Sequence, residues 1–458
     1  MTGRRRAGLG RLAKGLGGVG LAGASAAGAG AAGVAVSMRM AYPSPNSDPA
    51  EHELPPRPGP EGRRTVAVAL GASGSVITDA FGPYEVFARS PEFFVSTVAA
   101  RRVPAMLSGG LAVVPDYAFA DVDADSAPAP DVVVVPAVVA PNGKQEAQLR
   151  QWIARQADRG AQVLAVCAGS RLLAASGVLD GRRATSHWSR IRDLERSRPQ
   201  VKWVRGKRYI QDGNVTTTAG VTSGVFGALR LVEQLAGAAE AERVGHAIAY
   251  PGWSLDGPTD ICAQRWGPRD LAPALSLLFP WFRPTVGVGL VQGVGELDVA
   301  APFEGYANSF AAHTIPIAAE GIVTTRHGLR LVATPASAAT PRVSRLVVAG
   351  ILHADQVDPD LADWAADRGL NLELPNGQTA NETADIRFSF DSMLADLAAH
   401  SDRATAQATA KSIEYPLDRL ALTGAAWPWR PSIILAVTFA AAIGLGLLPA
   451  AVVGWQRR

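Results

Sequence analysis

The side chain best suited to covalent chemistry in this sequence is Cys167, one of only two cysteines among 458 residues. It follows the apolar run QVLAV (162–166) and precedes Ala168 and Gly169, so that small residues flank it two positions away on either side. This pattern is typical of a nucleophile elbow, where the backbone turns so sharply from strand to helix that larger flanking side chains would collide. The pattern also fits a buried structural cysteine at a strand end.

A sulfur at this position would lie at a helix N-terminus, where the helix dipole favours the thiolate. The backbone N–H groups of Ala168 and Gly169 could hold an oxyanion there. Cys262, in TDICAQRW, has no motif around it, and we expect a free or disulfide-linked structural role. Two cysteines make neither a disulfide framework nor a zinc site, and the sequence indicates no metal and no cofactor.

The segments around Cys167 predict the sheet that positions it. Four short apolar runs rich in valine suit strands buried on both faces of a parallel sheet, at 65–70, 93–100, 131–140 and 162–167. Helical patterns lie between them, and the segment 201–220 predicts a hairpin turning at Asp212-Gly213-Asn214 before a helix at 223–237. The sum is an α/β fold with an open, doubly wound parallel sheet, in which ligands bind beyond the carboxyl ends of the strands.

The segment AVCAGSRLLAASGVLDGRRATSHW (165–188) resembles the elbow region of the DJ-1/PfpI family, the class I glutamine-amidotransferase-like proteins. DAFGPYEVF (79–87) and TAGVTSGVFGALRLVEQLAG (218–237) resemble two further family segments, in the family's order and spacing. The resemblance covers residues of about 65 to 252. It is strongest to the branch that contains isonitrile hydratases and the ligand-binding domains of AraC-type regulators.

The resemblance implies a flavodoxin-like α/β/α sandwich with Cys167 as nucleophile and Asp79 as the acidic group beside it. A carboxyl group and a thiol held together would titrate as a coupled pair. His187 matches a family histidine whose role is catalytic or structural. Asp79 could instead be an N-terminal helix acid. One residue departs from the pattern, because the hydratase-like branch has threonine where this chain has Ala168.

An internal repeat suggests a second, shortened copy of the same unit. GVGELDVAAPFEGYA (293–307) aligns with GSVITDAFGPYEVFA (74–88), which matches Asp298 with Asp79 and Glu304 with Glu85. Two later echoes follow in the same order, WAADRG (364–369) and AQATAKSIEYP (406–416). The second copy places Pro375 and Asn376 where a nucleophile would be, so we expect it to pair with the first copy rather than to perform covalent chemistry.

The two ends of the chain predict contact with a membrane. The uncharged run 432–455 is long enough for a bilayer span and is flanked by tryptophan and arginine, although a buried globular helix has a similar composition. The arginine-rich start followed by a Gly/Ala run suits a signal anchor, a signal peptide or an unstructured leader. These features predict a cell-membrane protein with one or two transmembrane helices, an extracytoplasmic globular part and a cytoplasmic C-terminus.

The predicted organisation therefore has six parts. They are the signal segment 1–42, a proline-rich linker 43–64, the family-like domain 65–252, a connector 253–284, the degenerate copy 285–416 and the transmembrane helix 432–455.

Three functions remain open on the sequence. The first is a membrane-anchored cysteine enzyme of the hydratase or hydrolase type that acts on a small electrophilic molecule. The second is a non-catalytic module that binds a ligand or senses oxidants through Cys167. The third, a function related to transcription regulators, ranks below these because no DNA-binding half is present. The net charge of +3 and the lack of a basic helix interleaved with aromatics argue against nucleic acid. We expect intramolecular pairing of the two copies, with a homodimer as an alternative.

Overall fold

A computed structural model describes residues 28, 30–43, 54–60, 62–338, 342–378, 388–438 and 440–441. Its strands are β1 (Arg64–Ala69), β2 (Phe93–Ala99), β3 (Ala105–Met106), β4 (Ala112–Val114), β5 (Tyr117–Ala118), β6 (Val132–Val135), β7 (Gln162–Ala165), β8 (Arg183–Ala184), β9 (Lys202–Trp203), β10 (Tyr209–Asp212), β11 (Val215–Thr218), β12 (Thr285–Gly289), β13 (His313–Ala318), β14 (Ile322–Thr324), β15 (Arg330–Val332), β16 (Thr334–Pro335), β17 (Arg345–Val348) and β18 (Leu372–Glu373).

The helices alternate with these strands for most of the chain. They are α1 (30–41), α2 (Ile77–Ala88), α3 (Phe119–Asp123), α4 (Ala147–Asp158), α5 (Ser170–Ser176), α6 (Trp188–Ser197), α7 (Ser223–Ala236), α8 (Ala238–Ile248), α9 (Leu271–Leu278), α10 (Glu296–Ser309), α11 (Pro359–Asp367), α12 (Pro375–Gln378), α13 (Ser389–His400), α14 (Arg403–Ser412) and α15 (429–438).

The first sheet has seven strands in the order β10-β11-β7-β6-β1-β2-β5. All neighbours are parallel except β10 and β11, which form the predicted antiparallel hairpin. Val132 and Val134 of β6 lie in one hydrophobic core with helices α2, α7 and α8. Val133 and Val135 lie in a second core with α4 and α5. Because both faces are covered, the strands are continuous apolar runs, and the expected α/β class with a parallel sheet is found. We call this part, residues 64–252, the first unit.

The second sheet has five parallel strands in the order β16-β13-β12-β17-β18. Read in reverse, from β18 to β16, these strands follow the same order along the chain as the five strands from β7 to β5 of the first sheet. Helices α10, α13 and α14 pack together on one face, as α2, α7 and α8 do in the first unit. We call this part, residues 285–416, the second unit.

The two units contact each other through equivalent elements. Helix α2 packs against α10, and the buried apolar residues of both units form one continuous core. Strands β3 and β4 of the first unit join β14 and β15 of the second in a four-stranded antiparallel sheet, with β4 paired to β15. Asp116 adds a polar contact, because its carboxylate binds Arg57 at 2.8 Å and Arg330 of the second unit at 3.3 Å.

The membrane-spanning helices expected from the sequence are corrected by the structure. Within the described ranges, none of the helices combines the length and apolar character that a bilayer crossing requires. The described part of the predicted 432–455 span continues α15 only to residue 441, and residues 442–458 and 1–27 lie outside the described ranges. The cell-membrane location and the transmembrane part of the predicted fold class are therefore not retained.

Helix α1, from the predicted signal segment, packs against α9. The Cα of Gly33 lies so close to α9 that a Cβ there would come within 1.9 Å of the Leu278 carbonyl oxygen. Ser37 is fully buried, and its hydroxyl donates to the Leu277 carbonyl at 2.6 Å. This packing carries the end of α1, and Tyr42 after it, to the first unit.

Candidate functional site

Cys167 lies at the end of β7 with a backbone φ of 56°, a left-handed conformation that costs a residue other than glycine about 1–2 kcal/mol. A 3₁₀ turn (Cys167–Gly169) leads from it directly into α5. Glycine is required at position 169 because the neighbouring strand β6 lies very close. A Cβ there would be 2.2 Å from the Val135 carbonyl oxygen. The sharp turn predicted from the small flanking residues is present, and such backbone strain clusters at functional sites.

Hydrogen bonds fix the strained residue from both sides. The Cys167 N–H donates to the Thr218 hydroxyl at 3.3 Å, and its carbonyl accepts from the hydroxyls of Ser170 at 3.2 Å and Ser186 at 3.3 Å. Of the two N–H groups expected to hold an oxyanion, that of Ala168 bonds the Cys167 sulfur. The N–H of Gly169 instead donates to the Val166 carbonyl at 2.7 Å.

Asp79 lies in the first turn of α2, is fully buried, and is near enough to Cys167 for its charge to act on the thiol. Its Oδ2 accepts a hydrogen bond of 3.0 Å from the Ala137 N–H. Its Oδ1 has no hydrogen-bond partner among the residues that the structure describes. Burial, and then the charge of Glu304, raise the pKa of the Asp79 carboxyl well above its usual value. A buried carboxyl in this position favours its protonated form.

Glu304 belongs to the second unit but lies at this site. It is 3% exposed, and its Oε2 accepts a 3.4 Å hydrogen bond from the Ser108 hydroxyl. Burial raises the pKa of Glu304, although hydrogen bonds from Asn308, Thr78 and Ser108 act in the opposite direction. Two buried carboxyl groups and a thiol therefore share one small region, where few negative charges can coexist.

Tyr42 closes the same region from the N-terminal side. Its ring packs over Gly74, where a Cβ would lie 2.6 Å from the Tyr42 ring, and its hydroxyl is hydrogen-bonded to Ser108. Burial, followed by the charges of Glu304 and Asp79, raises the pKa of the Tyr42 phenol. Tyr42 therefore stays neutral and restricts access to the carboxyl groups beside Cys167.

The Cys167 thiol is 6% exposed, and its pKa is raised well above the usual value. Burial is the largest cause, and the charge of Asp79 is the next; Glu414 and Glu304 contribute less. The N–H of Ala168 opposes these effects by donating to the sulfur. The thiol and the Asp79 carboxyl thus both have raised pKa values, and both favour their protonated forms.

His187 begins α6, and both nitrogens of its ring are engaged. Its Nδ1 accepts from Ser189, whose hydroxyl oxygen lies 2.7 Å away, and its Nε2 donates to the Ser412 carbonyl of the second unit at 2.8 Å. Burial lowers the pKa of His187 to about 4, so the ring is neutral at physiological pH. These contacts occupy both ring nitrogens and link the start of α6 to the second unit.

A small cavity of about 20 Å³ adjoins the residues that support the elbow. Ser186, whose hydroxyl bonds the Cys167 carbonyl, forms part of its wall, as does Glu414 from the segment after α14. Cys262, an exposed free thiol, lines the cavity as well.

A separate small cavity of about 20 Å³ lies in the second unit. It is lined by Asp298, Pro375 and Asn376, as well as by Ser389, whose hydroxyl donates to the Asp298 carboxylate. The residues that the sequence predicted for this position are thus brought together, and none of them carries a thiol.

Sequence reasoning did not identify Tyr42, Glu304 or Glu414 as members of the site. Glu304 was already matched to Glu85 in the repeat, so the pairing of the two copies could have indicated it. Glu414 stands in the IEYP echo of IAYP (248–251), where the glutamate replaces an alanine. No pattern in the sequence links Tyr42 to the elbow.

Comparisons with known proteins agree with the resemblance seen in the motifs. Residues 64–234 match the model of the DJ-1/PfpI family. The chain is similar to an isonitrile hydratase of Pseudomonas putida, with 37% identity over 175 residues, which are 38% of this chain and 72% of that protein. It is also similar to protein dj-1beta of Drosophila melanogaster, with 31% identity over 180 residues, which are 36% of this chain and 93% of that protein.

Among solved structures, a crystal structure of a ThiJ/PfpI family protein from Pseudomonas syringae is similar at 26% sequence identity. That similarity covers 48% of this chain and 88% of the other, with a TM-score of 0.37.

Proposed function

Because the chain belongs to the DJ-1/PfpI family, we propose that it is a cysteine-dependent hydratase or hydrolase that acts on a small electrophilic carbon. Cys167 is the nucleophile, Asp79 exchanges its proton, and the Ala168 N–H stabilises developing negative charge. Isonitriles are the first substrates to test, since a relative named isonitrile hydratase has 37% identity to this chain.

One observation carries the proposal. Asp79 is buried near enough to Cys167 for its charge to raise the pKa of the thiol, and its Oδ1 has no hydrogen-bond partner among the described residues. A buried carboxylate oxygen without a hydrogen bond costs free energy, and protonation of the carboxyl lowers that cost. A protonated Asp79 carboxyl would have a proton to deliver to a substrate bound at Cys167.

The reaction of an isonitrile, R–N≡C, then has two stages. The thiolate of Cys167 bonds to the terminal carbon while Asp79 delivers a proton to that carbon, which gives a thioimidate, Cys–S–CH=N–R. Water adds across the C=N bond, and the tetrahedral adduct Cys–S–CH(OH)–NH–R expels the thiolate. The product is the formamide R–NH–CHO, and Asp79 regains the proton that the adduct's hydroxyl releases. Because residue 168 is alanine, no step of this reaction uses a hydroxyl at that position.

The second unit supports the first as a degenerate partner in this proposal. Its sheet repeats the central strand order of the first sheet, and α10 packs on α2 as two copies of one helix would across a twofold axis. Its own cavity holds Asp298 and Asn376 but no nucleophile. We propose that residues 285–416 act as a fused partner that completes the Cys167 site.

The test is turnover of an alkyl isonitrile to its formamide by the full chain. We expect Cys167→Ala to lose activity and Asp79→Asn to lose about 10²-fold or more. Asp298→Asn is the matched control, because it removes the equivalent carboxylate of the second unit, and we expect its rate to equal that of the wild type. If Cys167→Ala retains full turnover with an unchanged unfolding midpoint, the proposal is wrong.

A second candidate is a module that binds a ligand without catalysis. The burial of Cys167 and the raised pKa of its thiol favour it, because a protonated thiol is a poor nucleophile. Such a module would convert no isonitrile, and it would protect Cys167 from alkylation when its ligand is bound. Oxidation by peroxide confined to Cys167, without turnover, would favour an oxidant sensor.

A further inference from the structure

The small cavity beside the elbow, about 20 Å³ in volume, has walls from both units. Ser186 and Ala219 form the wall on the side of the first unit. The Ser186 hydroxyl donates to the Cys167 carbonyl. Ala219 follows Thr218, whose hydroxyl accepts from the Cys167 N–H. Glu414 forms the wall on the side of the second unit. A water molecule in this cavity would lie between residues that support the elbow backbone and a carboxylate that is distant from them in sequence.

Glu414 is held against the first unit by several contacts. Its Oε2 accepts hydrogen bonds from the Gly220 N–H at 2.6 Å and from the Ser223 hydroxyl at 3.1 Å. The backbone around it is anchored by Thr222, whose N–H and hydroxyl donate to the Ile413 carbonyl at 3.1 and 3.0 Å. Gly220 leaves room for the carboxylate, because a Cβ there would lie 2.6 Å from Glu414 side-chain carbons. The first unit thus has a preformed seat for this side chain.

The backbone conformation does not explain the choice of glutamate. Glu414 has a φ of 57°, and Ala249, which the repeat aligns with it, has a φ of 56° at the end of α8. At both positions the backbone leaves its helix through a residue in the left-handed conformation, which glycine or asparagine adopts more easily. The first unit tolerates alanine at this position. Only the second unit carries a carboxylate there, and only its neighbour carries the cysteine.

The surroundings suit a group that changes charge near neutral pH. Burial raises the pKa of Glu414 to about 6, against hydrogen bonds from Gly220 and Ser223 and the positive charge of Arg208. The other titratable groups that face it are Cys167 and Tyr250, and Arg205 and Lys207 line the same cavity. A carboxylate with these properties is matched to general base catalysis at physiological pH.

We propose that Glu414 is a catalytic residue supplied by the second unit, the general base for the water that resolves the covalent adduct on Cys167. This inference rests on the proposed function. Glu414 takes one proton from the water while the water oxygen bonds to the thioimidate carbon. The electron pair of the C=N bond moves to the nitrogen. The protonated Glu414 then gives that proton to the nitrogen, which yields the neutral tetrahedral adduct.

This assignment divides the proton transfers between the two carboxyl groups. Asp79 serves the sulfur and the first bond to carbon, from the buried side of the elbow. Glu414 serves the water, from the cavity side. The division also gives the second unit a chemical role although it lacks a nucleophile of its own.

The test compares the full-length wild type with Glu414→Gln, Glu414→Asp and the surface control Glu320→Gln. With an alkyl isonitrile, we expect Glu414→Gln to lower kcat/KM by about 10²- to 10⁴-fold and to abolish the inflection near pH 6. Mass spectrometry should detect an accumulated adduct on the Cys167 peptide. Glu414→Asp should recover part of the rate, and Glu320→Gln should match the wild type. Wild-type pH dependence in Glu414→Gln, with no adduct, would overturn the inference.

A measurement independent of turnover separates this inference from the proposed function. The rate of Cys167 alkylation by iodoacetamide, followed peptide by peptide from pH 5 to 9, reports the charge of Glu414 through its effect on the thiol. We expect an inflection near pH 6 in the wild type and in Glu320→Gln, and its loss in Glu414→Gln. If the wild type hydrates no isonitrile but shows this inflection, the proposed reaction fails while the placement of Glu414 stands. If Glu414→Gln keeps the inflection, the placement is wrong.

Discussion

The carboxylate of Glu85 accepts a hydrogen bond of 2.7 Å from the backbone N–H of Leu297, across the interface between the two units. Glu304, at the matching position of α10, accepts a hydrogen bond from the backbone N–H of Thr78, which matches Leu297. Each carboxylate therefore binds the N-terminal turn of the opposite helix, as in the reciprocal contacts of a twofold dimer. The pair differs only in its neighbours, because Glu304 lies beside the cysteine and Glu85 does not.

This difference gives a matched pair of variants. The charge of Glu304 raises the pKa of both Asp79 and Cys167, so Glu304→Gln should lower the pKa of the thiol. We expect alkylation of Cys167 at pH 7 to become about threefold to tenfold faster. Glu85→Gln removes the reciprocal contact and should leave the rate unchanged. An equal acceleration in both variants would mean that loosening of the interface, rather than charge, controls the thiol.

The position of Tyr42 predicts that the N-terminal segment limits access to the site. Tyr42→Ala removes the ring that packs over Gly74 and opens the region to water, which reduces the burial that raises the pKa of Cys167. We expect Cys167 to be alkylated about tenfold faster at pH 7. Tyr42→Phe keeps the ring and should stay close to the wild type. The exposed Cys262 serves as the internal reference in both variants, and equal Cys167 rates in all three proteins would exclude a closing role.

The tight turn at Gly169 predicts that one added methyl group there greatly lowers the free energy of unfolding. Gly169→Ala places a Cβ against the Val135 carbonyl oxygen, which belongs to a central strand and cannot move easily. We expect a loss of about 2–3 kcal/mol in the free energy of unfolding, measured by urea denaturation. Gly321→Ala is the control, since no atom lies within 4 Å of a Cβ at that position. A loss for Gly169→Ala no greater than that of the control would contradict the geometry of the turn.

His187 predicts a pH dependence of stability. Its pKa falls from 6.5 to about 4 on folding, so the unfolded chain binds a proton that the folded protein does not between these values. The stabilisation from the neutral ring is present above pH 6.5 and decreases as the pH falls, by about 2 kcal/mol from pH 7 to pH 5. Glu414 acts in the opposite direction, because its pKa is raised to about 6 and its contribution is lost as the pH rises.

The comparison of His187→Asn with the wild type isolates the histidine, because Glu414 is present in both. The free energy of unfolding of the variant should fall by about 2 kcal/mol less between pH 7 and pH 5. Parallel pH profiles for the two proteins would show that the ring is not neutral in the folded protein.

The parts of the fold that the sequence predicted correctly depend on neighbours in the chain. Valine runs such as 132–135 indicate buried parallel strands, the turn at Gly213 indicates a hairpin, and small residues around Cys167 indicate a sharp bend. Each of these signals is a local steric or solvation requirement. A membrane span, in contrast, requires a helix of sufficient length, and apolar composition in 432–455 alone does not establish one.

The parts of the site that escaped prediction come from segments distant in sequence. Glu304 and Glu414 reach Cys167 only because the second unit packs against the first, and Tyr42 reaches it only because α1 packs on α9. The contact of His187 with Ser412 has the same origin. These contacts depend on how the two units, and α1 with α9, pack against each other. The spacing of residues within one unit does not predict that packing.

The pairing of β4 with β15 has a practical consequence for anyone who divides this protein. A recombinant half that ends before residue 285 would leave β4 with its backbone N–H and C=O groups facing solvent, next to the uncovered apolar side of α2. Such an unprotected strand recruits other chains edge to edge. Halves produced separately are therefore expected to accumulate as insoluble aggregates, and co-expression of both should restore soluble material.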